Sequence, residues 1–273
     1  MSAASEIESA GLLERIGQAR KRMVKRYGKR LIRRLRETLA QQSLVSNDPV
    51  LDARQFPDLD PFTEHWKEIR DEVREILKHR EAVPSFVEVS PDQTRIANGK
   101  FWRTFILFGF GTKMEKNCAQ APVTTRLLEA VPNLQTAWFS IMAPHSHVEA
   151  HRGVTKSILR AHLGLIIPKD AENCRLRVDQ EICVWREGEV FVFDDTYEHE
   201  VWNDTDEERV ILLFDFDRPM RLWGRIINRS FIWALKFTSY YQVPKKNMES
   251  YEDKFEAATR QADKMLEAMS EKD

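Results

Sequence analysis

Between Phe101 and Phe216 the chain is cut into short β-rich segments at close intervals. They are Phe101–Phe108, Trp138–Met142, Ile158–Ile167, Cys174–Val178, Ile182–Trp185, Val190–Phe193, His199–Trp202 and Val210–Phe216. Turn residues such as Pro168-Lys169-Asp170, Glu187-Gly188 and Asn203-Asp204 separate several of them. Many short strands with regular turns close into a sandwich or barrel. A helical stretch is expected inside the run, between Asn117 and Asn133, with Leu127, Leu128 and Val131 facing inward.

The flanks read differently. Ser43 to Phe62 is rich in Pro, Asp and Asn and is expected as a loop or linker. A helix is expected over Thr63–His79, because Trp66, Ile69, Val73, Ile76 and Leu77 share one face. The organisation expected is therefore a basic helical extension (1–45), a linker and helix (46–82), the strand-rich domain (83–219) and C-terminal amphipathic and charged helices (220–273). From Arg15 to Arg36 there are eleven Lys and Arg and no Asp or Glu. Met23, Val24, Tyr27, Leu31, Leu35 and Leu39 recur there at helical spacing. Such a helix suits an anionic membrane surface, or packs by its stripe on its own domain. No aromatic platform, zinc spacing or helix-turn-helix pattern supports nucleic acid as a partner. Beyond Asp217-Arg218-Pro219, Arg221, Arg225 and Arg229 share a helical face while Leu222, Trp223, Ile226, Ile227, Phe231, Ala234 and Leu235 cover much of the rest. This second basic and aromatic segment suits either a membrane interface or the barrel wall. The tail from Met248 is strongly charged and is expected as a solvated cap.

At 273 residues the chain makes one sizeable domain with extensions, or two small domains. No apolar run approaches the ~18 residues of a membrane-spanning helix, and the N-terminus has no basic stretch followed by an apolar core, so a cytosolic address is expected. Cys118, Cys174 and Cys183 show no paired ligand spacing and are expected to be reduced thiols.

Chemistry concentrates in histidine. His65 and His79 lie in the helix before the barrel, while His145, His147, His151, His162 and His199 all lie in the strand-rich region. Neutral imidazole is the commonest transition-metal ligand. His151 sits in the turn-like segment HRGVT, His199 begins a strand after FDDTYE, and Arg209 opens the apolar strand VILLFDF. A divalent metal held by histidines, with an arginine nearby to clamp a dicarboxylate, is the arrangement of iron(II)/2-oxoglutarate oxygenases. His147-Val148-Glu149 has the spacing of a competing ligand pair that could join His199. Each of these residues alone more often has a structural role, and it is the constellation that points to a metal.

The segments SIMAPHSHVEAHRGVTKSILRAHLGLIIP, CRLRV, WREG, FVFDDTYEHEVWND and ERVILLFDFDRP, in that order, resemble the aspartyl/asparaginyl β-hydroxylase family from about Trp102 to Pro219. The resemblance implies a mainly β fold, a double-stranded β-helix (jelly-roll) core with flanking N- and C-terminal helices. It implies that His151 and His199 are the iron ligands and that Arg209 binds the distal carboxylate of 2-oxoglutarate. Trp102, Ser140, Met142, Arg160 and His162 would line the cosubstrate pocket. Most of the wider superfamily adds an Asp or Glu two residues after the first His. Position 153 is Gly, as in this family, where water takes the carboxylate's place. Asp194 and Asp195 would then anchor the turn before His199, and His145 and His147 would lie outside the ligand set.

The implied cofactors are Fe(II), 2-oxoglutarate and O2, with succinate and CO2 released as an unactivated carbon is hydroxylated. Two substrate classes fit the family: an Asp or Asn side chain in a protein or carrier-bound amino acid, and the 2-position of a fatty acyl chain on a bacterial lipid. The two basic flanking segments favour a membrane lipid, ornithine lipid ahead of lipid A, and a place on the cytosolic face of the inner membrane. A silent barrel acting as a binding module is the remaining class. Intact His151, His199 and Arg209 argue against it.

Overall fold

The computed structural model describes residues 33–97, 99–153, 155–235, 237 and 239–270. Among them, eleven strands are arranged in two antiparallel sheets. In chain order they are β1 (Val50–Leu51), β2 (Trp102–Gly109), β3 (Thr112–Lys113), β4 (Leu134–Met142), β5 (Ser146–His151), β6 (Ile158–Ile166), β7 (Cys174–Val178), β8 (Glu181–Val184), β9 (Val190–Phe193), β10 (His199–Asn203) and β11 (Arg209–Asp217). The larger sheet runs β1-β9-β6-β11-β4-β2-β3 and the smaller β5-β10-β7-β8. With flanking helices, this is the mainly β, double-stranded β-helix core that the sequence leads one to expect.

β11 lies in the middle of the large sheet, between β4 and β6, and is buried from Arg209 to Phe216. A strand covered on both faces reads as a continuous apolar run, which is why VILLF shows no polar alternation. The period of two still divides it. Val210, Leu212, Phe214 and Phe216 face outward from the barrel, with Leu159, Ala161, Leu163 and Leu165 of β6, Phe139 and Ile141 of β4, and Phe105 and Leu107 of β2. Helices cover that layer. α1 occupies residues 33–42, and α2 (Asp60–Glu64), α3 (Trp66–Leu77), α4 (Phe86–Val89), α5 (Glu115–Ala119) and α6 (Pro122–Ala130) come after it. α3 buries Ile69, Val73 and Ile76, and Leu127 and Leu128 of α6 join them in the same core. Glu72 of α3 caps α6: its carboxylate accepts from the N–H groups of Val123 (2.6 Å) and Thr124 (2.9 Å), a favourable charge at a helix N-terminus.

Three regions differ from expectation. Ser43–Phe62, expected as a loop, carries β1 and two 3-10 turns and places Leu51, Phe56, Leu59 and Phe62 in the core. Phe62 stacks on Phe214 at 4.8 Å. Ser146–His151, where no strand was expected, is strand β5, and it ends on the first residue of the turn-like HRGVT segment. Val148 is its one apolar residue in a buried cluster, so no hydrophobic period marks it. The charged tail belongs to α8 (Ser239–Ser270) and is more than a solvated cap. Met248 and Phe255 are buried, Phe255 meets Phe105 edge-on at 4.7 Å, and Lys116 pairs with Asp253 and Glu256.

Residues 1–32, and with them most of the basic stretch and its stripe from Met23 to Leu31, lie outside the described residues. At its near end Leu39 is fully buried and Arg36 donates to the Gly153 carbonyl at 2.7 Å, so that end of the helix packs on the barrel. The second basic segment is α7 (Leu222–Leu235). Gly224 and Asn228 face the body of the protein, and a Cβ at Gly224 would lie 2.6 Å from Gln42. The other side leaves Leu222, Trp223, Ile226 and Trp233 exposed. Among the described residues no helix is long and apolar enough to cross a membrane.

Candidate active site

Alternation that sends Val210 and Leu212 outward turns Arg209 into the barrel. The same rule brings Ser140 and Met142 of β4, Arg160 and His162 of β6 and Trp102 of β2 onto the inner face. Register aligns them: Arg209 lies opposite Met142, and Met142 opposite Trp102. The smaller sheet faces this layer and carries the two histidines, since His151 of β5 is the cross-strand partner of His199 of β10.

A β-bulge makes that pairing possible. Val201 pairs with Val148 and His199 with His151, so β5 spends two residues, Glu149 and Ala150, where β10 spends one. The extra residue reverses the facing of the strand beyond it. His147 and Glu149 stay on the outer face, where His147 Nε2 meets Glu200 Oε1 at 2.7 Å and stacks on Trp202, while His151 turns inward. The HxE pair therefore sits across the sheet from His199. His147, Glu149 and Glu200 do cluster closely enough to hold an ion, but Arg177 already pairs with Glu200 at 2.7 Å.

The two inward imidazoles have ring centroids 4.0 Å apart. His151 Nδ1 lies 2.8 Å from the Glu149 carbonyl and His199 Nδ1 lies 3.0 Å from that of Tyr197. A carbonyl only accepts, so each Nδ1 carries the proton and each Nε2 presents a lone pair. His199 Nε2 is buried with no hydrogen-bond partner among the described residues. Burial pushes the His151 pKa down to about 4 and that of His199 to about 3, which keeps both rings neutral. Two neutral imidazoles with oriented, unspent lone pairs are a donor set that fits a divalent transition metal.

Gly153 lies beside them. Its N–H donates to the Asp195 carbonyl at 2.7 Å, and a Cβ there would fall 2.1 Å from Asp195 Oδ1. The carboxylate of Asp195 thus fills the space that a side chain at position 153 would need. Burial raises its pKa to about 7, opposed by Arg160, whose Nη2 lies 3.7 Å away. Asp194 has a different job. Lys156 and Arg218 pair with it, and Thr196 caps it, which anchors the turn before His199 as expected. Asp195 was expected with Asp194 as an anchor of that turn, and its contact with Gly153 is seen only in the structure.

Arg209 is 3% exposed, and no carboxylate among the described residues lies within ion-pair distance of it. Its Nε has no hydrogen-bond partner among them, and the guanidinium rests 4.7 Å above the Trp185 ring. Burial lowers its pKa to about 10, so it remains a cation. A buried charge without a counterion is costly unless an anion arrives. His162 stands near by on β6. Trp185 Nε1 donates to its Nδ1 at 3.3 Å, which leaves the proton on Nε2, and that donor is buried and unpartnered among the described residues. Trp185 orients His162 and supports Arg209; in the sequence it stood only as the first residue of the WREG segment, without a role. Trp102 donates to Ser140 Oγ at 2.9 Å. Arg160 is held in a two-pronged pair by Asp215 at 2.7 and 2.9 Å, so its charge is largely compensated. His145 is exposed and meets Asp206, away from the two inward rings.

Comparison with known proteins adds four findings. The aspartyl/asparaginyl β-hydroxylase family pattern matches residues 63–219, a stretch that includes α3 and α6 as well as the barrel. An ornithine lipid ester-linked acyl 2-hydroxylase from Rhizobium tropici is 38% identical over 213 residues, 78% of this chain and 76% of that protein. The human aspartyl/asparaginyl β-hydroxylase is 37% identical over 160 residues, 57% of this chain but 20% of that protein. Among solved structures, a Pseudomonas putida prolyl-4-hydroxylase aligns with a TM-score of 0.37 at 17% identity, covering 57% of this chain and 88% of that one.

Proposed function

Because this chain belongs to the aspartyl/asparaginyl β-hydroxylase family, we propose that it is an iron(II)/2-oxoglutarate-dependent dioxygenase. Its substrate in this reading is a fatty acyl chain of a bacterial membrane lipid, ornithine lipid ahead of lipid A. The observation that carries the chemistry is the buried, acid-free guanidinium of Arg209 in a barrel whose facing sheet presents two neutral imidazoles.

His151 and His199 would hold the metal through Nε2, their Nδ1 protons anchored on backbone carbonyls. Iron bound there supplies activation of O2 at the expense of 2-oxoglutarate, which is lost as succinate and CO2. Arg209 offers a charge-assisted clamp for the distal carboxylate of the cosubstrate, and the Nε2 proton of His162 is a second donor near it. Trp102, Ser140 and Met142 form the wall that orients it. With aromatic rings of Trp185, Phe191 and Phe193 packed around His162, the wall also keeps water from the clamp. A barrel that bound no anion would retain the cost of a buried Arg209 with no acidic partner among the described residues, offset only by the Trp185 ring.

Support for the lipid comes from the extent of similarity: the match to the lipid hydroxylase spans most of both chains, while the match to the human protein hydroxylase covers a fifth of that protein. α7 supports a membrane surface. Leu222, Trp223, Ile226 and Trp233 are exposed on its outer side, with exposed Arg225 and Arg229 beside them, a combination that suits an anionic interface. The proposed location is peripheral, on the cytosolic face of the inner membrane. The test is mass spectrometry of total lipids from host cells with and without the gene. Loss of species heavier by one oxygen on deletion supports the reading and identifies the head group. Unchanged lipids move the substrate to an aspartyl or asparaginyl side chain or a carrier-bound amino acid.

A further inference from the structure

A cleft of about 170 Å³ opens beside His151, and its lining changes character along its length. At one side stand His151, Gly153, Arg160 and Asp195, already linked through the Gly153–Asp195 and Arg160–Asp195 contacts. At the other stand Val89 of α4, Ile106 of β2, Phe110 and Met248 of α8, which belong to one apolar cluster separate from the main core. Trp138 joins the two, since its ring packs on that cluster and carries the Arg160 guanidinium 5.8 Å above it. The apolar side is closed by Met248. Its sulfur sits so near Gly109 that a Cβ there would lie 2.4 Å away, and the neighbouring Asn247 ties α8 to the Val89 carbonyl at 3.0 Å.

From this polarity gradient we propose that the cleft is the acyl-chain site, with the reacting end of the chain beside His151 and the tail directed at Met248. The proposal rests on the lipid-hydroxylase reading. An amphiphile fits such a cleft better than a short acidic side chain does, because an Asp or Asn would leave the apolar half filled with water. Trp138 Nε1 and Thr104 Oγ1, both buried and unpartnered among the described residues, belong to residues of the same lining. Met248 and Ile106 then decide how much chain enters.

The experiment uses the full chain without iron or 2-oxoglutarate. Affinities for laurate and palmitate are measured by quenching of tryptophan fluorescence with their brominated analogues, with Trp138→Phe identifying the part of the signal that arises in the cleft. Met248→Ala lengthens the apolar end. Its palmitate-to-laurate affinity ratio is expected to rise by about fourfold for each further methylene brought into contact. Ile106→Phe fills the middle and is expected to weaken both ligands about tenfold or more, the equivalent of two methylenes excluded. If Met248→Ala leaves the ratio within twofold of the parent, the proposal is overturned, whether or not Ile106→Phe folds. The two readings fail separately. Acyl binding with the expected variant response but no hydroxylated lipid sinks the lipid-hydroxylase reading alone, and hydroxylation of ornithine lipid with chain preference unaltered in Met248→Ala sinks the cleft alone.

Discussion

The two faces of the seven-stranded sheet are made by the same strands and do opposite things. On the outer face, alternate residues of β2, β4, β6 and β11 are aliphatic or aromatic and are sealed by α3 and α6. One residue along each strand, the inner face carries Trp102, Ser140, His162, Arg209 and Asp215, buried yet bearing polar atoms, with the half-buried Arg160 and the apolar Ile211 and Leu213 among them. Several of its atoms have no partner among the described residues: His162 Nε2, Arg209 Nε and Thr104 Oγ1. Protein interiors normally satisfy such groups. The difference teaches that the barrel interior here combines a site with a smaller apolar core. Stability resides mainly in the outer layer, which leaves the inner layer free to hold charge at a cost.

Substitutions should therefore separate by face. The largest effect is expected from His199→Ala, which removes one of the two imidazoles proposed to hold the metal and should abolish succinate release from 2-oxoglutarate while the melting temperature stays near that of the parent. Surviving turnover would show that the facing sheet does not hold the metal. Phe62→Ala tests the outer layer. It empties a fully buried site stacked on Phe214 and should cost about 3–5 kcal/mol in denaturant unfolding, with catalysis by the remaining folded protein little changed.

Arg209→Met should invert that pattern. Removing a buried cation that has no acidic partner among the described residues should leave stability equal or higher, while the KM for 2-oxoglutarate rises by about a hundredfold, in line with ~3 kcal/mol for a charge-assisted pair. A melting temperature that falls with KM unmoved would make Arg209 a structural residue and collapse the contrast between faces. Gly153→Ala probes the joint between the sheets. The added methyl meets the Asp195 carboxylate, so a moderate loss of stability, about 1–3 kcal/mol, should accompany a loss of iron affinity. The smallest effect belongs outside the barrel. Trp223→Ala with Trp233→Ala should weaken retention on vesicles of anionic lipid a few-fold at low salt, with turnover of detergent-dispersed substrate unaltered; equal retention removes α7 from the membrane reading.

The regular elements were largely legible in the sequence. Cys174–Val178 and Val190–Phe193 are strands to the residue, and the stripe from Trp66 to Leu77 became α3, because apolar period is what packing against a neighbour requires. Where packing is done by isolated residues among prolines and aspartates, as with Phe56, Leu59 and Phe62, period is lost and the segment resembles a loop. The site was legible as a set of residue types, not as a geometry. A bulge at Glu149 and Ala150 decides which histidine faces His199, and a one-residue offset between two strands leaves no mark in composition. The role of Trp185, which opens the WREG segment, was hidden for a related reason: it lies in what the ring touches, His162 and Arg209, both distant in sequence.

The most direct test is a stoichiometric one on the purified chain with iron(II), 2-oxoglutarate, O2 and ornithine lipid. Succinate and lipid are measured together by mass spectrometry. One succinate is expected for each lipid made heavier by one oxygen on its acyl chain, with both products absent in His199→Ala. Succinate formed without any oxygen added to the lipid, while an Asp- or Asn-containing acceptor gains one, would contradict the lipid assignment.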